Sequence, residues 1–518
     1  MNSHTRKWLA LVSLVLAVFV VALDATIVSV ALPTLAGVLH ASTSQLQWFV
    51  IGYTLVFAAA LVPGGMLGDR YGRKKLLLGA LVLFGAGSLA CTLARSPGAF
   101  IAARALLGLG GALIVPVTVG VLPVLFAEEE RRKAVAATMA ATVLGFPIGP
   151  ILGGWILAHH HWSWVFLINL PVVAVALLAV ALLMPETRSS EKSRFDPAGI
   201  AASSAGLALL TYGVIEVGQR GWGSLAAIAE MVGGALLLAA FTLWERRTAD
   251  PLLDLRLFRS RAFLWGTLLA TLVSFAMFGL FFAVPQYFQA VRGTNAEGAG
   301  LGLLPMVGGL LVGAVLADRL VGKAGVRATV GLGFALSAAG LLLGTETRAG
   351  SGLTLTIVWT AVFGLGLGFS LPSTMDAALG SLSPERSGVG SGTIQALRMV
   401  GSTFGAAILG SILNGAYTGH LDLAAYPQSA QVAKQSVEAG VAAAEQLHSP
   451  QLLDSVRAAF VHGIDRVLLV SGVLAAVGIV LAVVFLPRRV PVDAAAIVSH
   501  PTRSYEDVGK PRQFEHQD

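Results

Sequence analysis

Five ionisable side chains stand inside stretches that are otherwise apolar: Asp24, Arg104, Glu216, Asp376 and Arg398. A charge at the centre of a bilayer costs about 2.5–3.5 kcal/mol on insertion scales, so each is a functional candidate. Asp24 is the strongest. It lies well inside the first apolar run, in Leu23-Asp-Ala-Thr-Ile-Val-Ser-Val-Ala-Leu-Pro33. Hydrocarbon opposes a carboxylate's charge and a nearby cation supports it, so a carboxyl there suits proton binding and release. It is expected to face a central cleft. Arg104 opens Arg104-Ala-Leu-Leu-Gly-Leu-Gly-Gly-Ala-Leu-Ile-Val-Pro116. Arg104, Gly108 and Gly111 recur at helical spacing and share one face. Counted from the outer ends of their runs, Asp24 and Arg104 lie at similar depth. The two are expected to interact, and a purely structural ion pair is one reading. Arg398 and Glu216 stand near span ends, where long side chains snorkel. Asp376 is a weaker candidate for a transport role. His159-His160-His161 has no carboxylate or cysteine beside it, so a solvated turn is expected there and no metal site.

The elements that position these groups are read from composition. The chain has 518 residues, of which 55% are apolar and 12% charged, with mean hydropathy +0.77. That excludes an ordinary soluble domain. Apolar runs near twenty residues recur fourteen times, the length that spans a bilayer. The second is read at about 46–66, the thirteenth at about 395–414 and the last at about 464–486. With the N-terminus inside, about 26 of the 35 Lys and Arg fall in cytoplasmic segments and about 7 outside. The bias places both termini in the cytoplasm and argues against nucleic acid as the reason for the +7 charge. A single cysteine, Cys91, excludes a disulfide framework. The first run is too long for a cleaved signal peptide and is read as a span.

Residues 64–75, Gly-Gly-Met-Leu-Gly-Asp-Arg-Tyr-Gly-Arg-Lys-Lys, pack four cations and one carboxylate between two apolar runs. They are read as a cytoplasmic loop. The glycines allow close approach of a neighbour, and Asp69 calls for an ion pair or a helix N-terminus. Leu316-Ala-Asp-Arg-Leu-Val-Gly-Lys repeats the pattern after the tenth span. If spans nine to fourteen copy spans one to six, the repeat falls where duplication requires it. The expected fold is an all-α membrane protein of 14 transmembrane helices: two pseudo-symmetric six-helix bundles plus two inserted helices. Its expected parts are 1–190, the inserted helices at 191–250, and 251–489 with an external loop at 414–465. Residues 432–447 could form a short helix in that loop. The tail at 490–518 is expected to be cytoplasmic and disordered.

Gly-x-Leu-x-Asp-Arg-x-Gly-Arg-Lys resembles the loop signature of the major facilitator superfamily. The Asp24 segment is similar to the first-helix signature of its fourteen-span drug:proton antiporter branch, with Ser29 where Asn is usual. The resemblance implies a conformational latch at Gly65, Asp69, Arg70, Gly72 and Arg73, repeated at Asp318 and Arg319. It implies proton coupling by Asp24 and Arg104. Gly145, Gly149 and Gly153 recur every four residues, and with Pro150 and Gly154 they resemble the exporters' helix-five motif. Tight helix packing alone is the other reading. The substrate cavity is expected to include Gln47, Tyr53, Asn169, Gln286, Asp376 and Arg398.

The sequence has no Gly-x-x-x-x-Gly-Lys-Ser/Thr phosphate loop, so an ion gradient rather than ATP is the expected energy source. No cofactor is expected, and no clustered catalytic set suggests an enzyme. The reading is proton-coupled export of drugs or other amphipathic molecules across the inner membrane, by a monomer. The alternative is a dedicated exporter of one endogenous metabolite, antibiotic or lipid.

Overall fold

The apolar runs become helices, and the residues before them act as caps. Ser42 accepts the Gln45 N–H in a capping box, Ser260 caps the ninth span, and Ser449 with Pro450 opens the last. The computed structural model describes residues 3–126, 128–187, 196–248, 254–348, 350–382 and 387–487. Its spans are α1 Ser3–Leu39, α2 Thr43–Tyr71, α3 Arg73–Leu93, α4 Pro97–Leu125 and α5 Glu128–His159. Then come α6 Trp164–Leu183, α7 Pro197–Arg220, α8 Leu225–Glu245, α9 Arg261–Val291 and α10 Ala296–Ala324. The last four are α11 Val326–Gly344, α12 Leu353–Leu379, α13 Ser387–His420 and α14 Pro450–Phe485. Thirteen are long and apolar enough to cross a membrane, and α5, bent by 44° between Phe146 and Ile148, makes fourteen.

Helix partners repeat. In the first half α2 and α3 pack on α4, α1 packs on α5, and α3 packs on α6. In the second half α10 and α11 pack on α12, α9 on α13, and α11 on α14. Each second-half pair is a first-half pair advanced by eight helices. The inserted α7 and α8 pack on each other, with α7 also against α13 and α2.

Three boundaries differ from the sequence reading. Residues 64–75 are not a loop: α2 runs through Asp69 and Arg70 to Tyr71, and α3 begins at Arg73. Gly72 alone makes the break, with φ at 110°, a conformation that suits glycine. The repeat breaks likewise at Gly325, φ 82°, about one turn farther from Asp318 than Gly72 is from Asp69. Second, α13 continues to His420 and α14 begins at Pro450, so the expected loop 414–465 shrinks to 421–449. Polar residues such as Asp454 and Arg457 ride on the helix where it extends past the apolar run. Third, that shorter loop forms two helices, Ala430–Ala433 and Val437–Gln446, rather than one. It is fastened down. Thr43 donates both its backbone N–H and its Oγ1 to the Gln435 carbonyl at 2.8 Å, and Tyr417 Oη donates to Ala433 O at 2.8 Å. The tail at 490–518 lies outside the described residues.

Candidate functional site

Asp24 is fully buried, on the face that α1 turns toward α4 and α6. Its Oδ2 accepts Arg104 Nη1 at 2.6 Å, and its Oδ1 accepts Asn169 Nδ2 at 3.0 Å. Arg104 is equally inaccessible; its Nε donates to Phe49 O at 2.9 Å, and its guanidinium lies 4.6 Å over the Tyr53 ring. Tyr53 Oη donates to Val21 O at 3.1 Å, and Asn169 is shared with Ser88 Oγ at 3.0 Å. Five helices, α1, α2, α3, α4 and α6, thus meet at one ion pair. The expected interaction is present, but the carboxyl does not face a cleft: it is sealed within the first half. The guanidinium and the amide thus occupy both carboxylate oxygens. Arg104 Nη2 and Asn169 Oδ1 are buried without a hydrogen-bond partner.

The helix-five glycines bracket this cluster. A Cβ on Gly145 would lie 2.7 Å from Ala22 Cβ, and one on Gly149 would lie 2.7 Å from Leu23 O. A Cβ on Gly153 would lie 2.7 Å from Ile27 Cγ1. The stripe therefore lets α5 press on α1 from Ala22 to Ile27, across Asp24. Pro150 and Gly154 belong to another contact. Gly154 abuts Ala296 and Glu297, and Gly300 abuts the Pro150 carbonyl, which ties α5 to α10 across the two halves.

Among the described residues, other hydrogen bonds between the halves run from the same end to the middle of α13. Gln289 Nε2 donates to Val30 O at 3.0 Å. Gln47 Nε2 donates to Ala407 O at 3.2 Å, and Thr403 Oγ1 to Thr54 Oγ1 at 3.0 Å. With Thr43 and Gln435, these form a seal far from Gly72. Sequence reasoning missed this seal because each partner is an ordinary polar residue. Only the Gln and Thr residues standing alone on apolar faces hinted at it.

The six residues assigned to a cavity stand in different surroundings. Gln47 is buried and closes the seal. Tyr53 and Asn169 belong to the Asp24 cluster. Gln286 bonds back to Phe282 O of its own helix at 2.7 Å. Asp376 is exposed near the C-terminal end of α12. Arg398 does not snorkel: it is only 6% exposed, with Ser274 Oγ and Gln395 Oε1 each at 3.1 Å. The reason is that α13 starts at Ser387, so Arg398 stands about three turns inside it. Glu216 is held by Arg220 one turn on, at 2.8 Å. The three histidines at 159–161 are exposed, and His159 stacks on Trp155.

At the Gly72 end, Asp69 pairs with Arg73 at 2.7 Å, and Arg70 lies 5.6 Å over the Tyr71 ring. Of the glycines expected to allow close approach, Gly64 has its Cβ position 2.8 Å from Ala112 O and Gly68 2.8 Å from Val117 Cγ2, whereas Gly65 would meet only Pro116, at 3.5 Å. Asp318 and Arg319 are exposed on the last turns of α10.

Comparison with known proteins agrees with this architecture. Residues 14–406 match the family model described as Major Facilitator Superfamily. The Tetracenomycin C resistance and export protein of Streptomyces glaucescens is 32% identical over 505 residues, 95% of this chain and 93% of that protein. Multidrug efflux pump LfrA of Mycolicibacterium smegmatis is 33% identical over 487 residues, 91% of this chain and 95% of that protein. Among solved structures, a bacterial homolog to the human lysosomal transporter Spinster, inward-facing and unoccupied, superposes with TM-score 0.66. Its identity is 16%, over 93% of this chain and 98% of that one, which speaks for the fold alone. With its paired six-helix halves, its fourteen spans and a family match over most of its length, this multi-pass membrane protein belongs to the major facilitator superfamily.

Proposed function

We propose that the chain exports amphipathic small molecules, drugs among them, from the cytoplasm in exchange for protons, by alternating access. The observation that carries the proton part is the buried Asp24–Arg104 pair behind a one-ended seal. The Lys/Arg bias supports a cytoplasmic Gly72 end and cytoplasmic termini, and the contacts between halves away from that end support an inward-facing state. Opening the seal must move α1, because Val30 carries one of its bonds and lies about 9 Å along the helix from Asp24. It must also move α5, whose glycine stripe grips α1 on either side of Asp24. Outward opening therefore loosens the cluster and lets the carboxyl take a proton from outside. Closing expels the proton inward and resets the ion pair. An inward proton contributes about 2.3 kcal/mol per 100 mV, enough to drive useful accumulation when a pH difference adds to it.

Everted vesicles carrying the protein test this. With an imposed pH gradient, the wild type should accumulate a fluorescent amphipathic cation, and Asp24→Asn should not, at equal membrane abundance. Undiminished accumulation by that variant would remove Asp24 from the mechanism. A dedicated antibiotic exporter is the second reading, favoured by the relative named for tetracenomycin C. Competition among structurally unrelated dyes separates the two: mutual inhibition fits a broad cavity, and its absence fits a single substrate.

A further inference from the structure

A groove of about 710 Å³ lies where α10 turns into α11, against the end of α14. Its walls include Lys323, Gly325, Arg327, Leu332 and Val483. Three features make its head electropositive. Gly325 is the N-cap of α11 and has no side chain with which to cap the first-turn N–H groups. Lys323 is exposed beside it. Arg327 is half-buried, with Nε donating to Leu486 O at 2.5 Å. Among the described residues neither cation has a carboxylate partner. Below the head the wall is apolar and open to the bilayer, with Leu332 40% and Val483 51% exposed.

The equivalent junction in the first half is built the other way. There the Glu186 carboxylate accepts the Lys74 N–H at 3.1 Å, and a Cβ on Gly72 would lie 2.5 Å from it. Glu186 follows Met184-Pro185 at the end of α6; at the end of α14 the sequence Leu486-Pro487 is followed by Arg488, which lies outside the described residues. The first half thus supplies its own anion to the cradle at its glycine junction. The second half repeats the cradle with Lys323 and Arg327 beside it, and among the described residues no carboxylate takes the matching place.

We infer that this groove binds an anionic phospholipid, its phosphate against Lys323, Arg327 and the start of α11, one acyl chain along Leu332 and Val483. The charge of the head and the exposed apolar wall below it select a lipid of the adjoining leaflet over a soluble anion.

The full-length protein, purified in a neutral detergent, is titrated with phosphatidylglycerol and with phosphatidylcholine of the same chains, and bound lipid is counted by native mass spectrometry. The wild type should retain phosphatidylglycerol in preference. A surface cation contributes about fivefold in affinity for anionic lipid, so Lys323→Gln should weaken phosphatidylglycerol by about that factor and leave phosphatidylcholine unchanged. Gly322→Glu has open space around its Cβ and places a carboxylate in the groove without a clash; it should weaken phosphatidylglycerol at least as much. Equal retention of the two lipids by the wild type, or indifference to both substitutions, overturns the assignment. Displacement of phosphatidylglycerol by millimolar inorganic phosphate would assign the site to a free anion and overturn the lipid. A variant that misfolds is recognised by loss of its monodisperse elution and is replaced by Lys323→Ala.

Discussion

Replacing Asp24 with Asn leaves Arg104 buried with no opposite charge. Both side chains are completely inaccessible, and their contact is 2.6 Å. Breaking one side of such a pair costs about 3–5 kcal/mol, most of it the price of an uncompensated guanidinium. The Phe49 carbonyl and the Tyr53 ring remain, but neither neutralises the charge. The double variant Asp24→Asn/Arg104→Gln removes both charges and forfeits hydrogen bonds between neutral groups, each about 0.5–1.5 kcal/mol. It should therefore be more stable than Asp24→Asn alone, by about 2 kcal/mol. Unfolding of purified wild type, both single variants and the double, followed by tryptophan fluorescence in one detergent, gives the order. The expected order is wild type, then the double variant, then Asp24→Asn. A double variant less stable than Asp24→Asn, or an Asp24→Asn variant matching the wild type, would show that the two groups do not depend on each other as described.

Further outcomes follow from the same geometry. Thr54→Cys/Thr403→Cys replaces two hydroxyls 3.0 Å apart, so mild oxidation should cross-link α2 to α13, stop transport and be reversed by reductant; Cys91 is buried and should not interfere. Failure to cross-link would mean the seal is not formed in the resting protein. Gly149→Val should force α1 away from α5, lowering the unfolding midpoint by an overpacking penalty of about 1–3 kcal/mol and depressing efflux. Wild-type behaviour in both assays would contradict the packing. In the helix Val437–Gln446, burial raises the Glu438 carboxyl above its usual range, only partly offset by its own backbone N–H and Ser436. The folded segment then binds more protons than the unfolded one, so its stability is greatest at low pH and falls as pH rises through the raised value. Amide exchange at 430–446, corrected for intrinsic rates, should quicken from mildly acid to neutral pH, and Glu438→Gln should flatten that dependence.

Much of the fold was legible because bilayer thickness imposes a run of about twenty apolar residues on each span. The same rule misplaced the ends. Once a helix leaves hydrocarbon it can carry Asp454 or His462 on an exposed turn, and hydropathy stops before the helix does. Residues 64–75 read as a loop because charge and glycine look alike in a loop and in two abutting helix ends. The Asp24–Arg104 contact was legible from matching depth, but Asn169 was not, because the rotation of α6 about its axis leaves no trace in a uniformly apolar run. Arg220 as the partner of Glu216 was available from the four-residue spacing alone. Thr54 and Thr403 could not be paired from sequence, since their meeting depends on how two rigid halves lean together.

The most direct test of proton exchange uses purified protein in liposomes with an internal pH dye and no imposed pH gradient. A substrate gradient alone should drive protons in the opposite direction in the wild type, and Asp24→Asn, still binding substrate, should move none. Downhill substrate flux in the wild type with no change in internal pH would contradict the account, as would unaltered proton flux in the variant.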